Sequence, residues 1–261
     1  MSDPSGRCIH SVVKAMAVLD CLAAHRRPMS LGELAAALDA PKASVHGLLA
    51  SLRQNGVVEQ SPSDGKYRLG IRLFEYGCIV SSSWDVVGCS REQMHHIALQ
   101  SEDSVVLSTL EGDSALTIET AAAAGSFRVV SEKGDHMPLH CTSQGKLLAA
   151  YLPAGERRIL LQRLHFTSYT PHTIAAPAAL EQELDAIRDR GYATEDGEYR
   201  IGLRGVSAPI RDVSGRVCAA LGVVGMFRRV QSEEFERARD LVVAAAQEIS
   251  YAMGSRSAGR D

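Results

Sequence analysis

Between Ser30 and Gly70 the hydrophobic pattern changes its period, and that change leaves few folds open. Val45, Leu48, Leu49 and Leu52 stand at i, i+3, i+4 and i+7, the spacing of one buried stripe on an α-helix. Upstream, Ser30-Leu-Gly-Glu33 has the order of a capping box, in which the Ser hydroxyl accepts the Glu33 amide and the Glu reaches back. Leu34, Ala35 and Leu38 continue that start into a short helix. The break Asp39-Ala-Pro41-Lys42 separates the two helices, with Pro41 suited to the first turn of the second. Val12, Val13, Met16, Leu19 and Leu22 predict an earlier amphipathic helix over about 11–24, closed by His25-Arg-Arg-Pro28. After the second helix, Val57–Gln60 and Lys66–Leu69 flank Ser61-Pro-Ser-Asp-Gly65, a hairpin signal. Helix, helix–turn–helix and hairpin is the order of a winged helix. In that geometry the helix after the turn enters the DNA major groove and the hairpin reaches phosphate or the minor groove.

The face of the third helix opposite its apolar stripe carries Lys42, Ala43, His46, Gly47, Ala50 and Gln54. It is small or polar, as a face pressed against DNA would be. A solvated face on a small helical domain is the plain alternative. Lys66 and Arg68 share one face of the returning strand, with Tyr67 on the other, which suits phosphate contact. Ser30, Lys42, Ala43, Ser44, His46, Gly47, Arg53, Lys66 and Arg68 form the candidate DNA-binding set. The whole chain has a net charge of −3, which excludes a histone-like, charge-driven binder. Residues 1–70, however, hold eight Lys/Arg against six Asp/Glu, and the remainder holds 20 against 25. The sign of that asymmetry fits a nucleic-acid-facing first domain.

The 261 residues suggest two domains. Ile71 to Ser83 reads as a linker helix with Leu73, Phe74, Gly77 and Val80 on one face, and Trp84–Gln100 as another helix. Ser104–Leu110 and Ala115–Thr120 predict a second hairpin. Helices are expected at 144–151, 154–164 and 178–190, strands at Val206–Asp212 and Arg216–Phe227, and a final helix from Ser232 to about Met253. Hairpins with helices to one side argue an α+β fold. The longest run without a strongly polar residue, Val217–Phe227, is eleven residues, about half a membrane span. Met1–Arg7 has no apolar core and so is not a signal peptide. A cytoplasmic protein without a membrane partner is expected. Cysteines 8, 21, 78, 89, 141 and 218 form no C-x-x-C and read as reduced thiols.

The helix starting at Thr142-Ser-Gln-Gly-Lys146 is the candidate ligand site. A helix N-terminus binds a carboxylate through unpaired N–H groups, and a self-capped helix with Ser143 as its cap is the equal alternative. Enzyme signatures fail. Ser143-Gln-Gly-Lys146 matches S-x-x-K, but its companions S-D-N and K-T-G are missing. His140 stands where a P-loop needs Gly, and no H-E-x-x-H, G-x-S-x-G or G-x-G-x-x-G occurs. His95-His96 point apart on a helix. His136, His140 and Cys141 are a weak zinc candidate. Glu195, Asp196 and Glu198 read as a solvated strand end before they read as an acid–base pair. No catalytic residue, metal or cofactor is expected.

The segments Ser30–Ala35, Pro41–Leu52, Gly56–Glu59 and Gly65–Gly70 together resemble the winged helix of the IclR family of bacterial transcription regulators. Pro138–Ala149, Arg190–Glu198, Gly202–Pro209 and Ala219–Gly225 resemble that family's effector-pocket segments. The likeness spans about residues 10–254. It implies an N-terminal winged helix-turn-helix, a linker helix and a C-terminal GAF-like antiparallel sheet with flanking helices. The implied division is 1–9 flexible arm, 10–70 DNA-binding domain, 71–83 linker helix, 84–254 effector-binding domain and 255–261 tail. The implied partners are double-stranded operator DNA, a small organic acid and further copies of the chain, as dimer or tetramer. The implied effector-binding residues are Thr142, Ser143, Gln144, Gly145, Glu195, Leu203, Gly205, Gly222 and Val224. A sensor acting through protein contacts alone is the rival reading.

Two departures from the family pattern carry predictions. Members commonly have Arg after the His46 position; here it is Gly47, so a bidentate Arg–guanine contact is lost. Readout falls to Lys42, Ser44 and His46, and the glycine points to close backbone approach to DNA. Members also often have Cys at Gly205 and Ser at Gly222 and Val224. That predicts a roomier pocket for a larger, partly apolar ligand, such as an aromatic acid or related amide.

Overall fold

A computed structural model describes residues 9–83, 85–122 and 131–255; Cys8, Trp84, most of the expected arm and the tail beyond Ser255 lie outside them, as does the Val80 side chain. The chain divides into two compact units, Met1–Ser83 and Trp84–Asp261. The first holds α1 (His10–His25), α2 (Leu31–Ala37), α3 (Lys42–Gln54), the strands β1 (Val58–Gln60) and β2 (Tyr67–Leu69), and α4 (Ile71–Ser83). Val18, Leu22, Met29, Leu34, Val45, Leu49, Val58 and Tyr67 close one core among these elements. Ser30 caps α2 as the sequence predicts, accepting the Glu33 amide at 3.3 Å while Glu33 takes the Ser30 amide at 2.8 Å. Pro41 stands one place earlier than expected, at the N-cap of α3 rather than inside its first turn. β1 and β2 pair antiparallel, Val58 opposite Leu69. Gly70 ends the wing where a Cβ would lie 2.2 Å from the Gly56 carbonyl oxygen, so no other residue fits. Along α4, Leu73 is half-buried and the other described side chains are exposed.

The second unit holds α5 (Asp85–Ser101), β3 (Ser104–Glu111), β4 (Ser114–Ala121), β5 (His136–Pro138), α6 (Ser143–Ala150), α7 (Ala154–Arg163), α8 (Pro177–Arg190), β6 (Ala193–Asp196), β7 (Arg204–Arg211), β8 (Val217–Gly225) and α9 (Glu233–Ala252). The strands form one antiparallel sheet in the order β5-β4-β3-β8-β7-β6. Sequence reasoning missed β5 and gave β6 no bounds beyond a strand end at Glu195 and Asp196; at three and four residues they are too short to show alternation. It also placed the helices on one side, whereas they cover both faces. One core packs α5 and α9 on the sheet through Ile97, Phe235, Val242 and Ile249. A second packs α6 and α8 through Leu147, Leu180, Leu184 and Ile187. Double cover explains why the first five residues of β3 are all buried instead of alternating. No helix among the described residues is long and apolar enough to cross a membrane.

Candidate functional site

Two places in the molecule present chemistry. The first is the outer face of α3 with the wing. Lys42, Ala43, Ser44, His46, Gly47 and Arg53 are all exposed, while Val45 and Leu49 on the other side are fully buried. Gly47 has ordinary helical backbone, and a Cβ there would meet nothing within 4 Å. Ser30 and Lys42 come together beside Gly32: a Cβ on Gly32 would lie 3.9 Å from Ser30 Oγ and 4.0 Å from Lys42 Cε. Arg53 donates to Gln60 Oε1 at 2.6 Å and so ties α3 to β1. Arg68 is not free. It donates to Glu59 Oε2 at 2.9 and 3.1 Å across the hairpin. Arg68, with the Ile71 amide, in turn holds the Glu59 carboxyl below the usual range. Lys66 stands beside Asp64, whose carboxylate takes the Lys66 amide at 3.1 Å.

The second place is a cavity at the start of α6. All eight residues of this helix are buried. Its cap is Thr142, not Ser143: Thr142 Oγ1 accepts the Gly145 amide at 3.1 Å and donates to the Pro138 carbonyl at 2.7 Å. Ser143 Oγ instead meets Ser207 Oγ of β7 at 2.8 Å. Lys146 is 1% exposed. Its ammonium lies 2.5 Å from Glu198 and 3.6 Å from Glu183, which removes it from any partnership with Ser143.

Val106, Ser108, Ser131, Met137, Thr142, Gln144, Glu195, Tyr199, Leu203 and Val224 line the cavity. Five of the nine residues implied for effector binding are therefore brought together: Thr142, Gln144, Glu195, Leu203 and Val224. The other four stand behind the wall. A Cβ on Gly145 would lie 2.5 Å from Leu139 Cα, on Gly205 2.9 Å from Ser143 Oγ, and on Gly222 2.4 Å from Ser207 Oγ and 2.9 Å from Gln144 Nε2. These glycines let α6 lie against the sheet and the preceding turn. The space expected from Gly205 and Gly222 is already filled by Ser143, Ser207 and Gln144. The cavity is about 20 Å³, room for about one water. Val224, by contrast, does turn an apolar side chain to the cavity.

Sequence reasoning missed Val106, Ser108, Ser131, Met137 and Tyr199. Val106 and Ser108 share one face of β3 by alternation, a signal that was available. What the sequence does not show is that β4 is bulged beside them: pairing jumps from Leu107↔Glu119 to Ser108↔Thr117, leaving Ile118 as the extra residue, a bulge that bends β4.

Glu195 is not the solvated strand end expected. It is 2% exposed, and its Oε1 has no hydrogen-bond partner among the described residues, nor has Ser108 Oγ. Burial and the nearby Glu198 push its carboxyl up to about 8, against the opposing pull of Lys146 and the Ser143 and Tyr199 amides. Asp196 is exposed as expected. The His136, His140 and Cys141 side chains are spent separately: His136 on Ser114 at 2.7 Å and His140 on the Thr167 carbonyl at 2.9 Å. Cys141 is buried with its thiol pushed up to about 12, first by burial. No group of three metal-ligating side chains comes together among the described residues.

Residues 11–62 match the IclR helix-turn-helix domain, and residues 78–251 match the bacterial transcriptional regulator IclR C-terminal domain. The chain belongs to the IclR family. It is a transcription regulator, with a helix-turn-helix DNA-binding domain and an effector-binding domain, and not an enzyme. Among IclR-family relatives, the HTH-type transcriptional regulator XynR of Escherichia coli is 30% identical over 246 residues, 94% of this chain and 98% of the relative. An IclR transcriptional regulator from Alicyclobacillus acidocaldarius superposes with a TM-score of 0.82 at 26% identity, covering 95% of this chain and all of that one. An IclR homologue from Microbacterium hydrocarbonoxydans, solved with 4-hydroxybenzoate, gives 0.84 at 22% identity over 93% and 98% of the two chains; at that identity the likeness shows the fold alone.

Proposed function

We propose that this IclR-family protein acts in the cytoplasm on a catabolic operon, that the face of α3 and the wing contact its operator, and that a small organic acid with an apolar body occupies the cavity beside α6. The observation that carries the effector class is the pairing of an apolar wall, Val106, Met137, Leu203 and Val224, with convergent polar groups on Ser108, Thr142, Gln144 and Glu195, apolar lining to hold a ligand body and polar groups to orient its head. A two- or three-carbon keto acid has little apolar surface to set against that wall. A ring-sized acid needs more than the present cavity. Met137, unbranched and flexible, is the wall residue best able to yield.

On the DNA side, Lys42, Ser44, His46, Lys66 and Arg68 supply the contacts, with Ser30, Ala43, Gly47 and Arg53 completing the surface. The remaining partner is a second copy of the chain. α1 leaves Ile9, Val12, Val13 and Met16 half to two-thirds exposed, and α4 leaves Ile71, Phe74 and Ile79 more than 60% exposed. Apolar surface of that extent marks an interface. The N-terminal arm, the linker helix and the division at residues 70, 83 and 254 are part of the same proposal.

The deciding experiment titrates the protein onto labelled DNA from upstream of its own gene, against scrambled DNA, over a salt series with and without benzoate or pyruvate. Preferential binding that falls steeply with salt, by release of counterions, and responds to benzoate but not pyruvate is expected. Equal, feeble binding to both DNAs under every condition would defeat the operator reading. A response to pyruvate alone would defeat the effector reading.

A further inference from the structure

We infer that Glu195 reads the acid end of the effector in its neutral form, so that a carboxylate effector binds only those molecules whose Glu195 holds a proton. The inference rests on the cavity beside α6 being the effector site. A helix N-terminus is the natural slot for an anion, but here the slot is already faced from within the chain. The Ser143 amide of α6 and the Tyr199 amide point at the Glu195 carboxyl, and Thr142 Oγ1 takes the Gly145 amide. Glu195 stands in the cavity wall, and its Oε1 has no partner among the described residues. An incoming carboxylate therefore meets another carboxyl, not a bare row of N–H groups.

Among the described residues, the surrounding charges give no escape. From α6, Lys146 is held by Glu198 at 2.5 Å, and by Glu183 of α8 at 3.6 Å. From β7, Arg204 lies 2.6 Å from Asp196. Glu198, in the turn after β6, adds a like charge, and the Cys141 thiol before α6 is buried and neutral. β3 and β8 contribute Ser108, Val106 and Val224 to the cavity, none of them charged. Two carboxylates in a dry cavity cannot both ionise, so the pair shares one proton. With that proton on Glu195, its O–H donates to the effector's carboxylate while its carbonyl oxygen still accepts from the Ser143 and Tyr199 amides. Ser108 Oγ, the second unpartnered group, offers another hydrogen bond. The upward push on Glu195 means that it carries this proton at neutral pH.

The test has a part that needs no effector and a part that does. The side-chain carboxyl carbons of ¹³C-labelled glutamate are followed from about pH 4 to 10, and Glu195 is assigned by its loss in Glu195→Gln. Titration of Glu195 in the ordinary carboxylate range overturns the inference outright. Calorimetry then measures benzoate and benzamide binding to the full chain from about pH 6.5 to 9.5. For benzoate the affinity should be flat below about pH 8 and then fall up to tenfold per pH unit, roughly 30-fold by pH 9.5. Glu195→Gln, which keeps a neutral donor in the same shape, should bind benzoate without that fall. A high Glu195 titration together with pH-independent benzoate binding in the wild type overturns the coupling. If Glu195 titrates high but neither probe binds at any pH, the aromatic-acid reading of the effector fails, and the inference falls with it.

Discussion

α3, of 13 residues, and α6, of eight, each carry an interior glycine, and their surroundings are opposite. α3 packs one stripe and leaves a whole face bare, with no protein atom within 4 Å of where a Gly47 Cβ would stand. α6 is buried on every side, and a Gly145 Cβ would lie 2.5 Å from Leu139 Cα. The same contrast holds for their lysines: Lys42 is exposed and Lys146 is 1% exposed between two carboxylates. A polar helix residue thus says little by itself. What it faces decides whether it serves the fold or is left for a partner.

The sharpest way to test that contrast is to truncate the two lysines. Lys146→Ala leaves the part-buried Glu198 without its cation and should cost about 3 kcal/mol in urea unfolding. Lys42→Ala, at an exposed site, should stay within about 0.5 kcal/mol. Equal losses would mean that the burial of Lys146 is not what holds Glu198. Next in size is Gly145→Ala. Its methyl group meets backbone and not a yielding side-chain tip, so overpacking should cost about 1–3 kcal/mol; an unchanged unfolding midpoint would show that the turn before α6 gives way freely.

The contrast also marks how far the sequence could be read. Most helices and the longer strands follow from period and caps, because the stripe of Val45 and Leu49, the Ser30 box and the Ser232 cap act locally. The bare face of α3 was legible for the same reason: an exposed helix face is the complement of its own stripe. The cavity beside α6 was legible only in part. Its polar members Thr142 and Gln144 announce themselves, but which glycines bound cavity space and which bound helix–sheet contact depends on residues some 60 to 80 positions away, such as Ser143 against Ser207 and Gln144 against Gly222. Glu195 reads as a surface acid until the neighbouring helix and sheet are placed around it.

The wing offers a smaller effect that separates two bases alike in sequence. Arg68 already lies 2.9 Å from Glu59, whereas Lys66 gives its backbone amide to the exposed Asp64 and its ammonium has no ion pair at that length among the described residues. In a salt titration of operator binding, Lys66→Ala should lower the slope of log K against log salt by about one, as loss of one phosphate contact requires. Arg68→Ala should lower it by less, because binding must first free that guanidinium. A larger change for Arg68 would mean that the Glu59 pair opens at no cost on DNA.

The smallest change tests α3 against itself. Glycine inside an exposed helix costs about 0.5–1 kcal/mol relative to alanine, and the backbone at Gly47 is one that alanine adopts. Gly47→Ala should therefore raise the stability of the free protein by about that amount. Its methyl group has no protein neighbour to strain. If the glycine is there so that backbone can approach DNA closely, the same substitution weakens operator binding while it stabilises the fold. The two measurements then move in opposite directions, which no purely structural role for Gly47 predicts. Gains in both, or stability alone with unchanged affinity, would leave the glycine without a part in recognition and put the readout wholly on Lys42, Ser44, His46 and the wing.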